Sequence, residues 1–289
     1  MSERQDMKVL VTGANGQLGY DVINELKKRN HECIGVDIKE MDITDYESVQ
    51  TVLMDVNPDA VIHCAAWTAV DAAEDNIEKC RLVNATGTEN IANVCKKLNC
   101  KMMYISTDYI FDGKGEQPWE PDDIVTEPLN VYGQTKYEGE VAVRKKVEKF
   151  FIVRIAWVFG INGKNFIKTM LNLSKTHDAL TVVNDQVGTP TYTYDLARLL
   201  VDMIETERYG NYHATNEGGY ITWYDFACEI FKQAGIQMDI KPVSSSAYPS
   251  KAVRPYNSRL SKKKLVENGF ELLPKWQDAL KRYLIELGN

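Results

Sequence analysis

At 289 residues, 44% apolar and 26% charged, the chain is long enough for one large or two modest domains around a substantial core, and its composition excludes a disordered protein. A formal net charge of −7 argues against a general nucleic-acid binder, which needs a basic surface to neutralise phosphate. The six cysteines (Cys33, Cys64, Cys80, Cys95, Cys100, Cys228) fit neither zinc spacing nor a disulfide framework, and the four histidines are too scattered to suggest a metal site. The first residues lack the apolar core of a signal peptide, and no run approaches a membrane span; free thiols and a cytoplasmic location are expected.

In chain order, the apolar run Val9–Val11 reads as a buried parallel strand and residues 17–29 as a helix. Between them lies Gly13-x-x-Gly16-x-x-Gly19. Glycines in a strand-to-helix turn let the backbone approach a pyrophosphate and aim amides at it, although Gly-x-Gly-x-x-Gly is the commoner dinucleotide spacing. A second strand, 33–37, ends in Asp37, where a carboxylate would meet an adenosine ribose. A helix is expected after Thr44-Asp45, a third strand over 60–66, a helix over about 74–98 and a fourth strand over 101–106. Tyr132 and Lys136 then stand one turn apart on a helix that leads into a fifth strand at 150–155. A cation beside a phenol favours the phenolate and lowers its pKa, bringing tyrosine into range for general acid–base work. Later come a strand at 181–183, a helix at 194–206 and helices at about 222–234 and 274–287. The pattern predicts an α/β fold: a doubly wound parallel sheet (Rossmann-like) with a smaller C-terminal mixed α/β substrate domain. The dinucleotide-binding part is expected over 1–160, returning at about 181–208, and the substrate-binding part over most of 161–289.

Gly13-x-x-Gly16-x-x-Gly19, Ser106-Thr107-Asp108-Tyr109 and Tyr132-x-x-x-Lys136 together resemble the extended short-chain dehydrogenase/reductases that act on nucleotide sugars. Segments 105–113, 128–136, 184–190 and 254–260 narrow the resemblance to the dTDP-4-dehydrorhamnose reductase family, from Met7 to the C-terminus. That resemblance implies reduction of the C4 ketone of a dTDP-sugar by hydride from NAD(P)H. Tyr132 would donate the proton, Lys136 would lower its pKa and hold the nicotinamide ribose, and Thr107 would orient the ketone oxygen. A strand-end threonine alone more often satisfies its own backbone. Gly13, Gly16, Gln17, Leu18 and Gly19 would line the pyrophosphate turn, and Asp42, Ile43, Ala65, Ala66 and Thr68 the adenosine side.

Asp37 favours NAD(H), whereas Lys39 could neutralise a 2′-phosphate; with the family's habits this leaves NADP(H) expected and NAD(H) possible. Asp108, Trp157, Asn165, Gln186, Arg254 and Arg259 are the expected substrate contacts, the two arginines because a guanidinium binds phosphate bidentately. A lone tryptophan in an apolar run such as that of Trp157 is ordinarily a core residue. Some relatives bind Mg²⁺ through carboxylates at a dimer interface; of the corresponding positions Asp21 is acidic and Tyr194 is not, so no metal is expected, and a homodimer stays possible. Two other functions stay open: another nucleotide-sugar epimerase or reductase, and a non-catalytic subunit like that of methionine adenosyltransferase. Dehydration is disfavoured, because one carboxylate and not an acidic pair follows Thr107.

Overall fold

A computed structural model describes residues 6–288. Five strands from the first half, β1 (Lys8–Thr12), β2 (Glu32–Val36), β3 (Ala60–His63), β4 (Lys101–Thr107) and β5 (Phe150–Ile155), join Gly210–His213 in one sheet. Every pairing is parallel, and the order runs Gly210–His213, β5, β4, β3, β1, β2. Parallel strands covered on both faces need apolar side chains on both. In β1, Val9 and Val11 face a core completed by Leu18, Val22 and Leu196, while Leu10 faces another with Val36, Ile91 and Val94. The expected doubly wound sheet is therefore present. Its winding reverses at β1, with β2 on one side and β3 on the other, which opens a crevice at the carboxyl ends of the strands.

Two elements differ from the sequence reading. The helix expected over about 74–98 is divided into Val70–Ala73, Ile77–Arg81, a π-helical stretch Leu82–Thr86 and Gly87–Leu98. The first break has a local cause, because the Asn76 side chain donates to the Ala72 carbonyl at 2.8 Å and so competes with the helix for it. The strand expected at 181–183 exists as Ala179–Val183, but it pairs with Asp239–Val243 and not with the large sheet. The chain returns to the sheet through helix Thr193–Ile204, packed on helix Gln17–Lys28, and strand Gly210–His213.

The smaller unit is built on helices Phe166–Leu173, Trp223–Ala234 and Trp276–Glu286. Their apolar faces share one core, with Phe159, Ile167, Phe226, Ile230, Trp276 and Tyr283 buried in it. No helix among the described residues is long and apolar enough to cross a membrane.

Where the two units meet, Asp21 is buried and accepts a hydrogen bond from the Thr193 hydroxyl. Burial raises its pKa to about 6, Glu286 adding to the rise and Thr193 opposing it. The unfolded carboxyl ionises near pH ~4, so ionisation costs stability fully above pH ~6 and not at all below pH ~4. Asp21→Asn, which keeps an acceptor for Thr193, should therefore stabilise the fold at pH 8 by about 1–3 kcal/mol, at ~1.36 kcal/mol per pKa unit. The gain should vanish as pH falls toward 4. Urea denaturation at both pH values checks this; an equal shift at both would mean the aspartate's charge is not the cause.

Candidate active site

A cleft of about 500 Å³ opens at the carboxyl ends of β1, β3, β4 and β5. At one end β1 stops at Thr12 and the chain turns through Gly13, whose φ is +66°. A Cβ there would lie 2.8 Å from the Ala65 nitrogen, and one on Gly19 would lie 2.1 Å from the Gly13 carbonyl oxygen. Backbone thus packs directly on backbone, which no larger residue permits. Helix Gln17–Lys28 starts at this turn, and Gly16 offers it no side-chain cap. No side chain caps its leading amides, and uncapped amides at a helix start suit an anion. Leu18 is buried beneath, and the Gln17 side chain accepts from Gly160 N and Asn165 Nδ2, both at 3.1 Å, tying the turn to the smaller unit.

The residues expected on the adenosine side gather next to this turn. Asp37, Asp42, Ile43, Ala65 and Ala66 line an adjoining recess of about 180 Å³, and Thr68 lines the main cleft. Asp37 Oδ2 accepts from Asn15 N at 2.8 Å, which fixes its carboxylate beside the glycine turn. Asp42 Oδ1 accepts from Thr44 N at 2.9 Å, closing its own turn. Lys39 is exposed.

At the other end stand Thr107, Asp108, Tyr132 and Lys136. Helix Val131–Lys146 is capped by Asn130, whose Oδ1 accepts from Gly133 N at 2.8 Å. Gly133 lets that helix start lie against the end of β4, since a Cβ on it would be 2.0 Å from the Tyr109 carbonyl oxygen. Tyr132 in the first turn consequently faces Thr107 at the strand end. The Thr107 hydroxyl donates to Asp108 Oδ1 at 3.0 Å and accepts from Tyr109 N at 3.3 Å. Burial raises the Asp108 carboxyl to about 6, against hydrogen bonds from Ser258 and Thr107.

The expected effect of Lys136 on Tyr132 is not what the structure shows. Burial drives the Tyr132 phenol well above its ordinary range, with Thr107 opposing and Asp108 adding to the rise. Lys136 Nζ instead donates to the Ile105 carbonyl at 2.7 Å and sits 4.1 Å from the centre of the Tyr104 ring. Burial lowers it to about 7, while the carboxylate of Glu140 pulls the other way. The phenol is therefore fully protonated at neutral pH, which suits a proton donor better than a base.

The remaining expected contacts divide. Trp157 lines the cleft in the left-handed region, with φ 49°, a strain of about 1–3 kcal/mol for a residue of this kind. Thr191 N donates to its carbonyl at 3.1 Å, and its ring stacks on Trp223. Asn165, Gln186, Arg254 and Arg259 are not in the cleft wall. Asn165 caps helix Phe166–Leu173, with Nδ2 near Gln17, Gly160 and Tyr283. Gln186 donates to Ser245 at 2.9 Å, and Arg259 to Asn257 at 3.0 Å. Arg254 grips Asp71 through two nitrogens at 2.6 and 3.1 Å, so its charge already has a carboxylate partner.

Two residues escaped the sequence reading. Tyr109 lines the cleft and meets Tyr132 edge-on at 5.5 Å; its place in the 106–109 segment was the available signal. Asn84, buried in the π-helical stretch, accepts from Trp67 N at 2.8 Å and donates to Thr135 Oγ1 at 3.2 Å. It joins the loop after β3 to the helix of Tyr132, and nothing in its local sequence marks it. A larger concavity, about 730 Å³, lies at the opposite ends of the strands among Asn57, Asp59, Lys101 and Lys149. It shares none of this machinery.

The family model described as the RmlD substrate binding domain matches residues 7–289. A dTDP-4-dehydrorhamnose reductase from Escherichia coli K12 is 38% identical, over 97% of this chain and 98% of that one. The chain belongs to the dTDP-4-dehydrorhamnose reductase family. Among solved structures, the reductase of this name from Clostridium acetobutylicum superposes with a TM-score of 0.95 at 42% identity, covering 98% of this chain and 100% of that one. A second, from Bacillus anthracis in complex with NADP, gives 0.94 at 39% identity with the same coverage.

Proposed function

We propose that this chain reduces the C4 ketone of dTDP-4-dehydro-L-rhamnose to dTDP-L-rhamnose, the last step in making that sugar nucleotide, using NADPH and accepting NADH. The observation that carries the reading is the shared cleft: a backbone cradle fit for a pyrophosphate at one end, and a protonated phenol beside a strand-end hydroxyl at the other. The nicotinamide cofactor supplies the hydride. Gly13, Gly16, Gln17 and Gly19 would hold its pyrophosphate through backbone amides, Asp37 would meet the adenosine ribose, and Lys136 would hold the nicotinamide ribose. As negative charge develops on the C4 oxygen, Thr107 orients that oxygen and Tyr132 delivers the proton. The relative solved with NADP supports NADPH as donor. Asp37 supports acceptance of NADH, because a carboxylate there suits an unphosphorylated ribose. The reading includes a pair of copies, for which the exposed rings of Tyr20 and Tyr194 are the candidate surface; light scattering decides it.

Purified protein given dTDP-4-dehydro-L-rhamnose should oxidise NADPH, and more weakly NADH, with dTDP-L-rhamnose appearing in equal amount. Folded protein that binds nucleotide but turns over neither would sink the reading in favour of a non-catalytic subunit. The protonated state of Lys136 also sets a pH limit. With its folded pKa lowered to about 7, the ammonium is present below that pH and lost above it. The kcat/KM for NADPH, which reports the free enzyme, should fall as pH rises through about 7. A flat profile between pH 6 and 9 would show that no ammonium titrating near neutral pH governs cofactor binding.

A further inference from the structure

We propose that Trp223 is a positioning residue for this reduction: it holds the Trp157 indole in the cleft wall as a fixed apolar platform for the deoxysugar. The inference rests on the proposed function and extends it to the recognition of the sugar. Trp157 leaves the end of β5 in the left-handed region, a conformation bulky residues avoid unless their surroundings impose it. The contacts that hold its ring come from the smaller unit. The Trp157 and Trp223 rings stack with centroids 3.7 Å apart and planes 15° from parallel.

Trp223 is itself held. It opens helix Trp223–Ala234 behind the Thr222–Asp225 capping box, and Phe166 packs on it at 4.7 Å. The ladder preceding that helix pairs Ile221 with Gly188 and Thr222 with Val187. Gly188 lies at the edge of the Trp157 indole, where a Cβ would come within 2.9 Å of Cε2 and 3.1 Å of Nε1. One short ladder thus supplies both the bare backbone beside the indole and the ring stacked on it. A purely structural tryptophan would have no need to stay open to the cleft, yet Trp157 is only half-buried and lines it with Thr107 and Tyr132. A 6-deoxy sugar offers a C–H and methyl face that suits such a ring, as ligand pockets commonly combine apolar walls with a few polar groups.

The test compares wild type with Trp223→Ala and Trp223→Phe. Far-UV circular dichroism reads the exciton couplet of the indole pair, calorimetry reads the affinity for dTDP-L-rhamnose, dTDP and NADPH, and steady-state kinetics read the keto sugar. Trp223→Ala should lose the exciton signal and bind dTDP-L-rhamnose about three- to tenfold more weakly, the share of one aromatic pair. Affinity for dTDP and for NADPH should stay within about twofold, and Trp223→Phe should restore most of the sugar affinity. Unchanged sugar affinity in Trp223→Ala, with wild type still reducing the keto sugar, overturns this inference alone. Equal losses for dTDP and NADPH overturn it too, since they mark a general structural role. A wild type that neither reduces nor binds a dTDP-sugar removes the proposed function, and this inference with it.

Discussion

Tyr132→Phe is expected to lower kcat for ketone reduction by about 10²-fold or more, the usual share of a general acid, while NADPH affinity stays within about twofold. The substitution removes a single hydroxyl. The ring contact with Tyr109, edge-on at 5.5 Å, is open to phenylalanine as well, so the helix start and the glycine cradle should be undisturbed. What disappears is the proton that meets the developing oxyanion. Thr107 remains to hydrogen-bond that oxygen, which is why residual turnover is expected. Because the lost interaction is made in the transition state, kcat and kcat/KM should fall together. Single-turnover measurement with saturating NADPH separates this from slow product release. Turnover within a few-fold of wild type would show that another group carries the proton.

The parts of this protein legible in sequence are those fixed by local rules. Strands covered on both faces must be largely apolar, so β1, β3, β4 and β5 announce themselves, and a glycine turn between strand and helix announces a phosphate cradle. The four-residue spacing of Tyr132 and Lys136 is a property of helix geometry and survives folding unchanged. What local rules do not reach is pairing across the chain. Ala179–Val183 looks like a strand of the large sheet until Asp239–Val243 proves to be its partner. Arg254 reads as a phosphate ligand, and nothing local shows that Asp71, far away in sequence, pairs with its guanidinium. Asn165 reads as a substrate contact, and its capping of helix Phe166–Leu173 is a structural role beside that reading.

The electrostatic sign at Tyr132 failed for the same reason. A lysine one turn away should lower a phenol's pKa in water, but here both groups are desolvated and the lysine points to the Ile105 carbonyl. The left-handed backbone at Trp157 leaves no trace in composition at all, and the ring stacked on its indole, Trp223, stands far away in sequence.

The largest expected loss of stability comes from a residue one turn beyond Lys136. Glu140 is fully buried, and its carboxylate receives Arg154 Nε and Nη2, each at 2.9 Å, with Arg144 at 2.9 Å. Burial alone would raise its pKa, but Arg154 and Arg144 outweigh it, and the carboxyl is held below its ordinary value. Its contribution is accordingly present at neutral pH and lost as pH falls through that lowered value. Glu140→Ala leaves the Arg154 guanidinium, 2% exposed, without its counter-charge, and should cost about 3–5 kcal/mol in denaturant unfolding at pH 7. Removing both charges as Glu140→Leu with Arg154→Met should recover much of that, because no charge is then stranded. The recovered double variant reveals the second role of Glu140. Its carboxylate is the main influence holding the Lys136 ammonium up against burial, so without it the lysine should lose its proton at a lower pH. The alkaline fall in kcat/KM for NADPH should then move below its wild-type position even though the fold is restored. A double variant that is stable and keeps the wild-type pH profile would separate the buried pair from the catalytic lysine and confine Glu140 to the fold.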